Sequence, residues 1–347
     1  MNPIVLTIII SSLGLGTILT FTGSHWLLVW MGLEINTLAI IPLMIRQHHP
    51  RAVEASTKYF ITQATASALL LFASVTNAWT SGEWSLIEMT NPGSATLVTI
   101  ALALKIGLAP LHFWLPDVLQ GLDLTTGLIL STWQKLAPFA ILLQLYPSLN
   151  SNLLVFLGVL STMIGGWGGL NQTQLRKILA YSSIAHLGWM ITILHFSPNL
   201  TQLNLILYII MTSTTFLLFK MFNSTKINSI SSSSSKSPLL STIALMTLLS
   251  LGGLPPLTGF MPKWLILQEM TKQNLTTPAI IMAMMTLLSL FFYLRLCYST
   301  TLTMAPNPIN MMTSWRTKLP PNLTMTTTTS LSILLLPITP AILMLLS

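Results

Sequence analysis

The sequence predicts an all-α integral membrane protein of about eleven transmembrane helices, arranged as two inverted five-helix repeats with broken fourth and ninth helices. Three observations carry this. Of the 347 residues, 52% are hydrophobic and only 6% are charged, where a soluble domain carries roughly 25% charged residues. The apolar runs are about twenty residues long, enough to cross roughly 30 Å of hydrocarbon as helix. They lack the period-two alternation of a membrane β-barrel. Finally, Gly107-Leu108-Ala109-Pro110-Leu111, with Trp114 and Pro116, recurs as Gly253-Leu254-Pro255-Pro256-Leu257, with Phe260 and Pro262, at a constant offset of 146 residues.

Window hydropathy places the spans at about 3–21, 25–45, 57–79, 95–118, 124–146, 150–170, 174–196, 200–222, 238–270, 275–300 and 324–346. The two copies of the repeated motif fall in the fourth and ninth, the only interrupted spans. Each is the fourth member of a five-span unit. Two such units in succession insert with opposite orientation, the pattern in which broken helices mark an ion site. The chain is then one membrane domain, 1–347, made of a first five-helix repeat (1–146), a second (147–301) and a loop with a C-terminal helix (302–347).

The connections are read in the same way. The N-terminal apolar run has no basic n-region and continues to spanning length, so it reads as a helix and not a cleaved signal. Ser231 to Ser235 with Lys236 reads as a flexible polar loop. Thr303 to Asn322 is the longest loop and is rich in proline and methionine. The sequons at Asn171, Asn199, Asn223, Asn274 and Asn322 fall in successive loops on both faces, so most are chance products of composition. The single cysteine, Cys297, excludes a disulfide framework and a Cys-based cluster.

The formal net charge of +8 is spread over loops without a basic cluster, which argues against nucleic-acid binding. It is read as topology signal. Loops after even-numbered spans carry Arg46, Arg51, Arg176, Lys177, Lys226, Lys236, Arg316 and Lys318, while loops after odd-numbered spans carry only Lys272. The even loops and the N-terminus therefore lie on the inner side, and an odd span count puts the C-terminus outside.

The residues that could carry chemistry are few. Lys105 and Lys135 each lie near the middle of an apolar run, and a lysine at the bilayer centre costs roughly 2.5–3.5 kcal/mol. Each is followed by a proline, Pro110 and Pro138, which frees a backbone carbonyl one turn back, at Ile106 and Gln134. Snorkelling is a weak alternative, since roughly nine or more spanning residues flank each lysine. Glu34 lies about ten residues into the second span, about 15 Å deep and half of the hydrocarbon thickness. An intramembrane acid needs a cation, and Lys105 is available.

Lys263 follows the second break, beside Trp264, and reads equally as a path residue or an interfacial lysine. Lys105 precedes its Gly-Leu motif and Lys263 follows the matching one. With the units inverted, both are expected on the outward side of their own breaks. His112 and His186, in spans four and seven, could relay protons, although a lone histidine in an apolar helix is more often a packing residue. Glu54 and Lys58, four apart at a helix start, read as a surface pair; Arg46, His48, His49 and Arg51 read as loop charges. No phosphate loop, dinucleotide fingerprint or nucleophile elbow is present.

These residues carry a resemblance. Trp30–Asn36 (WMGLEIN), Lys105–Gly121 (KIGLAPLHFWLPDVLQG), Thr132–Pro138 (TWQKLAP), Asn171–Met190 and Gly252–Trp264 resemble the antiporter-like subunits of mitochondrial NADH:ubiquinone oxidoreductase, respiratory complex I, of vertebrate and mammalian type, over essentially the full length. The resemblance implies a proton-translocating subunit of the mitochondrial inner membrane, with a matrix N-terminus and a C-terminus in the intermembrane space. Carried over by position, it implies a proton-transfer axis of Glu34, Lys105, Lys135 and Lys263. It also implies no cofactor bound by this chain, with NADH, FMN, iron–sulfur clusters and ubiquinone in partner subunits. The partners it implies are other membrane and accessory subunits and phospholipids. Bacterial relatives have three further N-terminal spans, and the resemblance implies that this chain is the shortened animal form. A self-contained cation/proton antiporter and a purely structural membrane spacer are the rival readings.

Overall fold

The computed structural model describes residues 3–46, 49–234, 238–301 and 323–346, with 231–234 and 238 described by their backbone alone. The described residues form fifteen α-helices and no β-strand. Seven helices are long and apolar enough to cross a membrane unaided: α1 (Pro3–Thr22), α2 (Trp26–Met44), α3 (Pro50–Ser81), α6 (Leu124–Leu145), α7 (Ser151–Gly169), α9 (Pro198–Met221) and α13 (Thr276–Thr301). The expected fourth and ninth spans are each two shorter helices. These are α4 (Pro92–Ile106) with α5 (Trp114–Gly121), and α11 (Pro238–Gly252) with α12 (Phe260–Lys272).

The two breaks are built alike. Helix α4 ends on Gly107 at φ 85°, and the Leu108 N–H turns back to the Ala103 carbonyl at 2.9 Å. Helix α11 ends on Gly253 at φ 80°, and the Leu254 N–H turns back to the Leu249 carbonyl at 3.3 Å. A left-handed residue at this position is the usual helix stop and is cheap only for glycine. The glycines therefore end the helices, three residues before Pro110 and Pro256. This corrects the expectation that Pro110 breaks the fourth helix from within. Pro138 does not break its helix at all, because α6 runs on through it to Leu145.

Two further expectations are corrected. The serine-rich segment is not a loop over its first part, since α10 (Ile227–Ser234) covers it. Ile227 and Ile230, three residues apart on one face, are buried in the core, and that apolar stripe holds the helix. The last span is also interrupted. Helices α14 (Leu323–Leu334) and α15 (Thr339–Leu346) meet at 68°, at a 3-10 turn containing Pro337. Thr303 to Asn322, His48, Lys236, Arg316 and Lys318 lie outside the described residues.

Helix α8 (Leu175–Ile193) is the hub. Sixteen of its residues are buried, so nearly its whole circumference faces protein and not lipid. Its tight seam with α7 needs small residues, because a Cβ at Gly165 would lie 2.6 Å from the Ala185 nitrogen. Small-residue seams of this kind are how membrane helices approach closely. The two largest cores pack around this helix, one with α4, α6 and α7 and the other with α5, α9, α11 and α13. Asn223 and Asn274 sit at positive φ after α9 and α12, so two of the sequon asparagines serve as left-handed helix caps.

Candidate functional site

Lys105 lies in the last turn of α4, where the helix dipole favours a cation. It is 6% exposed, and its Nζ has no hydrogen-bond partner among the described residues. Lys135, in the middle of α6, is 4% exposed. Both line one internal cavity of about 20 Å³, together with Asn36, Thr37, Gln63 and Gln134. A cavity holds a water molecule when about 10–15 Å³ is open to its centre, so this one has room for one. Its walls are polar at the right places. The Asn36 side-chain amide is buried with neither end bonded. Gln63 Nε2 donates to the Lys105 carbonyl at 3.4 Å, and Gln134 Nε2 to the Asn36 carbonyl at 3.2 Å. The structure thus brings the two midspan lysines to a shared polar pocket with no carboxylate in its lining.

Glu34 stands apart from that pocket. It is half-buried on α2, and its Oε2 accepts from the Thr37 hydroxyl at 3.2 Å. No ion pair joins it to Lys105. Among the described residues the ion pairs are Lys58 with Glu54 at 2.9 Å and with Asp117 at 3.3 Å, and Lys272 with Glu269 at 3.2 Å. All of these are at helix ends. Glu54 and Lys58 therefore form the expected surface pair, with Asp117 as a third member.

Lys135 leads across to the second half of the bundle. Its Nζ donates to the Tyr208 hydroxyl of α9 at 2.7 Å and lies 4.7 Å from the centre of that ring. The Tyr208 ring is 5.7 Å from the ring of His186 on α8. His186 and Lys263 line a second, smaller cavity of about 10 Å³ with Ser289 and Tyr293. Lys263 is half-buried near the start of α12, and its Nζ donates to the Gly252 carbonyl at 2.8 Å. This corrects the expected placement of its amine beyond the break. A helical side chain tilts toward the N-terminus of its own helix. Lys263 therefore reaches back over the break to a carbonyl that the end of α11 leaves without an intrahelical donor. His112 lies in the turn between α4 and α5, buried against Phe113 with ring centres 4.4 Å apart. Its Nδ1 is buried with no hydrogen-bond partner among the described residues.

Sequence reasoning missed Tyr208, Asn36 and Gln63. A neutral polar side chain in an apolar run is common, and nothing local in a sequence aims it at a lysine on another helix. It also passed over Arg295 inside α13, whose Nη1 donates to the Leu170 carbonyl at 2.8 Å and ties that helix to the end of α7.

A bundle of broken helices with lysines at the breaks and between them is the architecture of an antiporter-like membrane subunit. The match to known proteins agrees. Residues 23–289 match the family described as "NADH:quinone oxidoreductase/Mrp antiporter, TM", and residues 290–343 match "NADH dehydrogenase subunit 2 C-terminus". The NADH-ubiquinone oxidoreductase chain 2 of Squalus acanthias is 84% identical over 99% of both chains. That of Scyliorhinus canicula is 82% identical over 100% of both. A chain in the structure of respiratory complex I from Thermus thermophilus with bound aureothin superposes with a TM-score of 0.81 at 27% identity, over 95% of this chain and 78% of that one. The chain belongs to the NADH:quinone oxidoreductase/Mrp antiporter transmembrane family. The vertebrate resemblance stands, but both named relatives are fishes and lend no support to the mammalian detail.

Proposed function

We propose that this chain is the antiporter-like, proton-translocating subunit 2 of NADH:ubiquinone oxidoreductase in the mitochondrial inner membrane. Quinone reduction elsewhere in the complex drives proton transfer along Glu34, Lys105, Lys135 and Lys263. NADH, FMN, iron–sulfur clusters and ubiquinone belong to the partner subunits, and this chain contributes to the enzyme through coupling alone. The carrying observation is the pair Lys105 and Lys135, buried on two helices and facing one water-sized cavity. Two ammonium groups so placed repel each other. Protonation of one therefore favours release from the other, which is the elementary requirement of a relay.

Glu34 supplies the control. A carboxylate that moves into contact with Lys105 holds that lysine charged, and one that stays apart, as here, lets the charge pass on. The proposed inverted repeats, 1–146 and 147–301, would give each unit one broken helix, with 302–347 closing the bundle. The Lys/Arg asymmetry supports a matrix N-terminus and a C-terminus in the intermembrane space.

Lys135→Met in the complete complex, reconstituted in vesicles, tests the reading. Protons moved per NADH oxidised should fall, since an acid–base group in a transfer step contributes typically about 10²–10⁴-fold. Unchanged stoichiometry in an assembled complex would instead favour a structural spacer.

A further inference from the structure

We propose that Tyr208 is the relay that carries protons out of Lys135, its hydroxyl switching between the Ser131 carbonyl and the Ser183–His186 face of α8. This rests on the proton-transfer reading above and extends it to a residue outside the charged set. Tyr208 is 1% exposed, so its hydroxyl meets protein groups and not bulk water. It accepts from the Lys135 Nζ at 2.7 Å and donates to the Ser131 carbonyl at 3.2 Å. A phenol hydroxyl can accept and donate at once, which is what a proton wire requires. A backbone carbonyl can only accept. With its proton on Ser131, the hydroxyl is therefore in a closed setting from which nothing travels further.

The open setting is available on α8. Ser183 is buried on α8, and its hydroxyl donates to the Ala180 carbonyl at 2.7 Å, leaving lone pairs free to accept. His186 follows one helical turn later on the same face, with its ring 5.7 Å from that of Tyr208. Rotation of the O–H about the phenolic C–O bond redirects the proton from Ser131 to Ser183 without moving the buried ring.

The transfer balances. An N–H bond of Lys135 breaks and an O–H bond forms at Tyr208 as the original Tyr208 O–H breaks. The Ser183 hydroxyl, turned from the Ala180 carbonyl toward His186, takes that proton and passes its own to the His186 imidazole. Lys135 ends as a neutral amine, Tyr208 and Ser183 end as neutral hydroxyls, and His186 ends as imidazolium. One positive charge has crossed from α6 to α8, toward Lys263. Return of the Tyr208 hydroxyl to Ser131 then closes the path behind it.

Tyr208→Phe and Ser183→Ala, each in the complete complex in vesicles beside Lys135→Met, test this. Phenylalanine keeps the ring and its contact with the ammonium and removes only the hydroxyl. The expected result is an assembled complex whose protons moved per NADH oxidised fall to the Lys135→Met value. Ser183→Ala should lower the stoichiometry in the same direction. A Tyr208 that merely solvates Lys135 would leave Ser183→Ala silent, because that variant does not touch the Lys135–Tyr208 bond. If Lys135→Met lowers the stoichiometry while the Tyr208 and Ser183 variants keep the wild-type value, the relay is overturned and the function reading stands. If all three keep it, the function reading fails as well. Should Tyr208→Phe not assemble, Ser183→Ala decides alone, with wild-type stoichiometry overturning the relay.

Discussion

The Lys263 ammonium, carried on α12, donates to the Gly252 carbonyl at the end of α11, 2.8 Å away across the second break. One side chain thus caps one half-helix while belonging to the other. Lys105 holds the corresponding place in the first break by lying in the last turn of α4 itself. The two lysines sit on opposite sides of their repeated motif in sequence, yet both serve the C-terminal end of a first half-helix, where the dipole favours a cation.

Lys263→Met should stop coupled proton transfer through the second half and also uncap α11. Lys263→Arg restores the cap but stays charged at any accessible pH, so it should assemble better and still fail to pump. Proton pumping and assembly, measured on both variants by vesicle acidification and native electrophoresis, separate the two roles. Full pumping by the arginine variant would show that Lys263 holds the break and carries no proton.

Lys105→Ala should behave differently from most buried-charge deletions. Removing one partner of a buried ion pair costs about 3–5 kcal/mol because the other charge is left uncompensated. Among the described residues Lys105 has no hydrogen-bond partner and no ion pair to orphan. The variant should therefore assemble with unchanged or higher thermal stability while coupled activity falls. Loss of thermal stability by several degrees would mean that Glu34 and Lys105 pair more closely than here.

Gly253→Ala should impair transfer without touching a titratable group. At φ 80° any residue but glycine costs about 1–2 kcal/mol. The added Cβ would also lie 2.8 Å from the Lys263 Nζ. The flexible lysine end should give way and lose Gly252. Pumping should drop in proportion to that displacement, with the assembled fraction much less affected. Pumping equal to wild type would show that the Lys263–Gly252 contact is dispensable.

Topology is open to a direct measurement. The Lys/Arg asymmetry assigns the connection between α9 and α11 to the matrix and the C-terminus to the intermembrane space. Protease added to mitoplasts should leave the α9–α11 connection intact and remove a C-terminal epitope tag. Cleavage between α9 and α11 from the outer side would reverse the whole assignment.

Much of this protein is written locally. Twenty-residue apolar runs and the scarcity of charge are properties of adjacent residues, so the sequence alone determines the all-helical membrane class and points to the interruptions of the fourth and ninth spans, while the glycine stops and the bend at Pro337 emerge only in the structure. The sequence also singles out Glu34, Lys105 and Lys135, because a charge within an apolar run is conspicuous without any knowledge of neighbours, while Lys263 beside Trp264 reads equally as interfacial until the family resemblance adds it. What such reading cannot reach is which groups meet. Tyr208 touches Lys135 from 73 residues away, Lys105 and Lys135 share a cavity from two helices, and Glu34 remains apart from Lys105. Lys263 turns back because helical side chains lean toward their N-terminus, a direction that residue spacing along a chain does not contain. These relations depend on how helices pack around α8, and nonlocal packing decides the path that local chemistry only makes available.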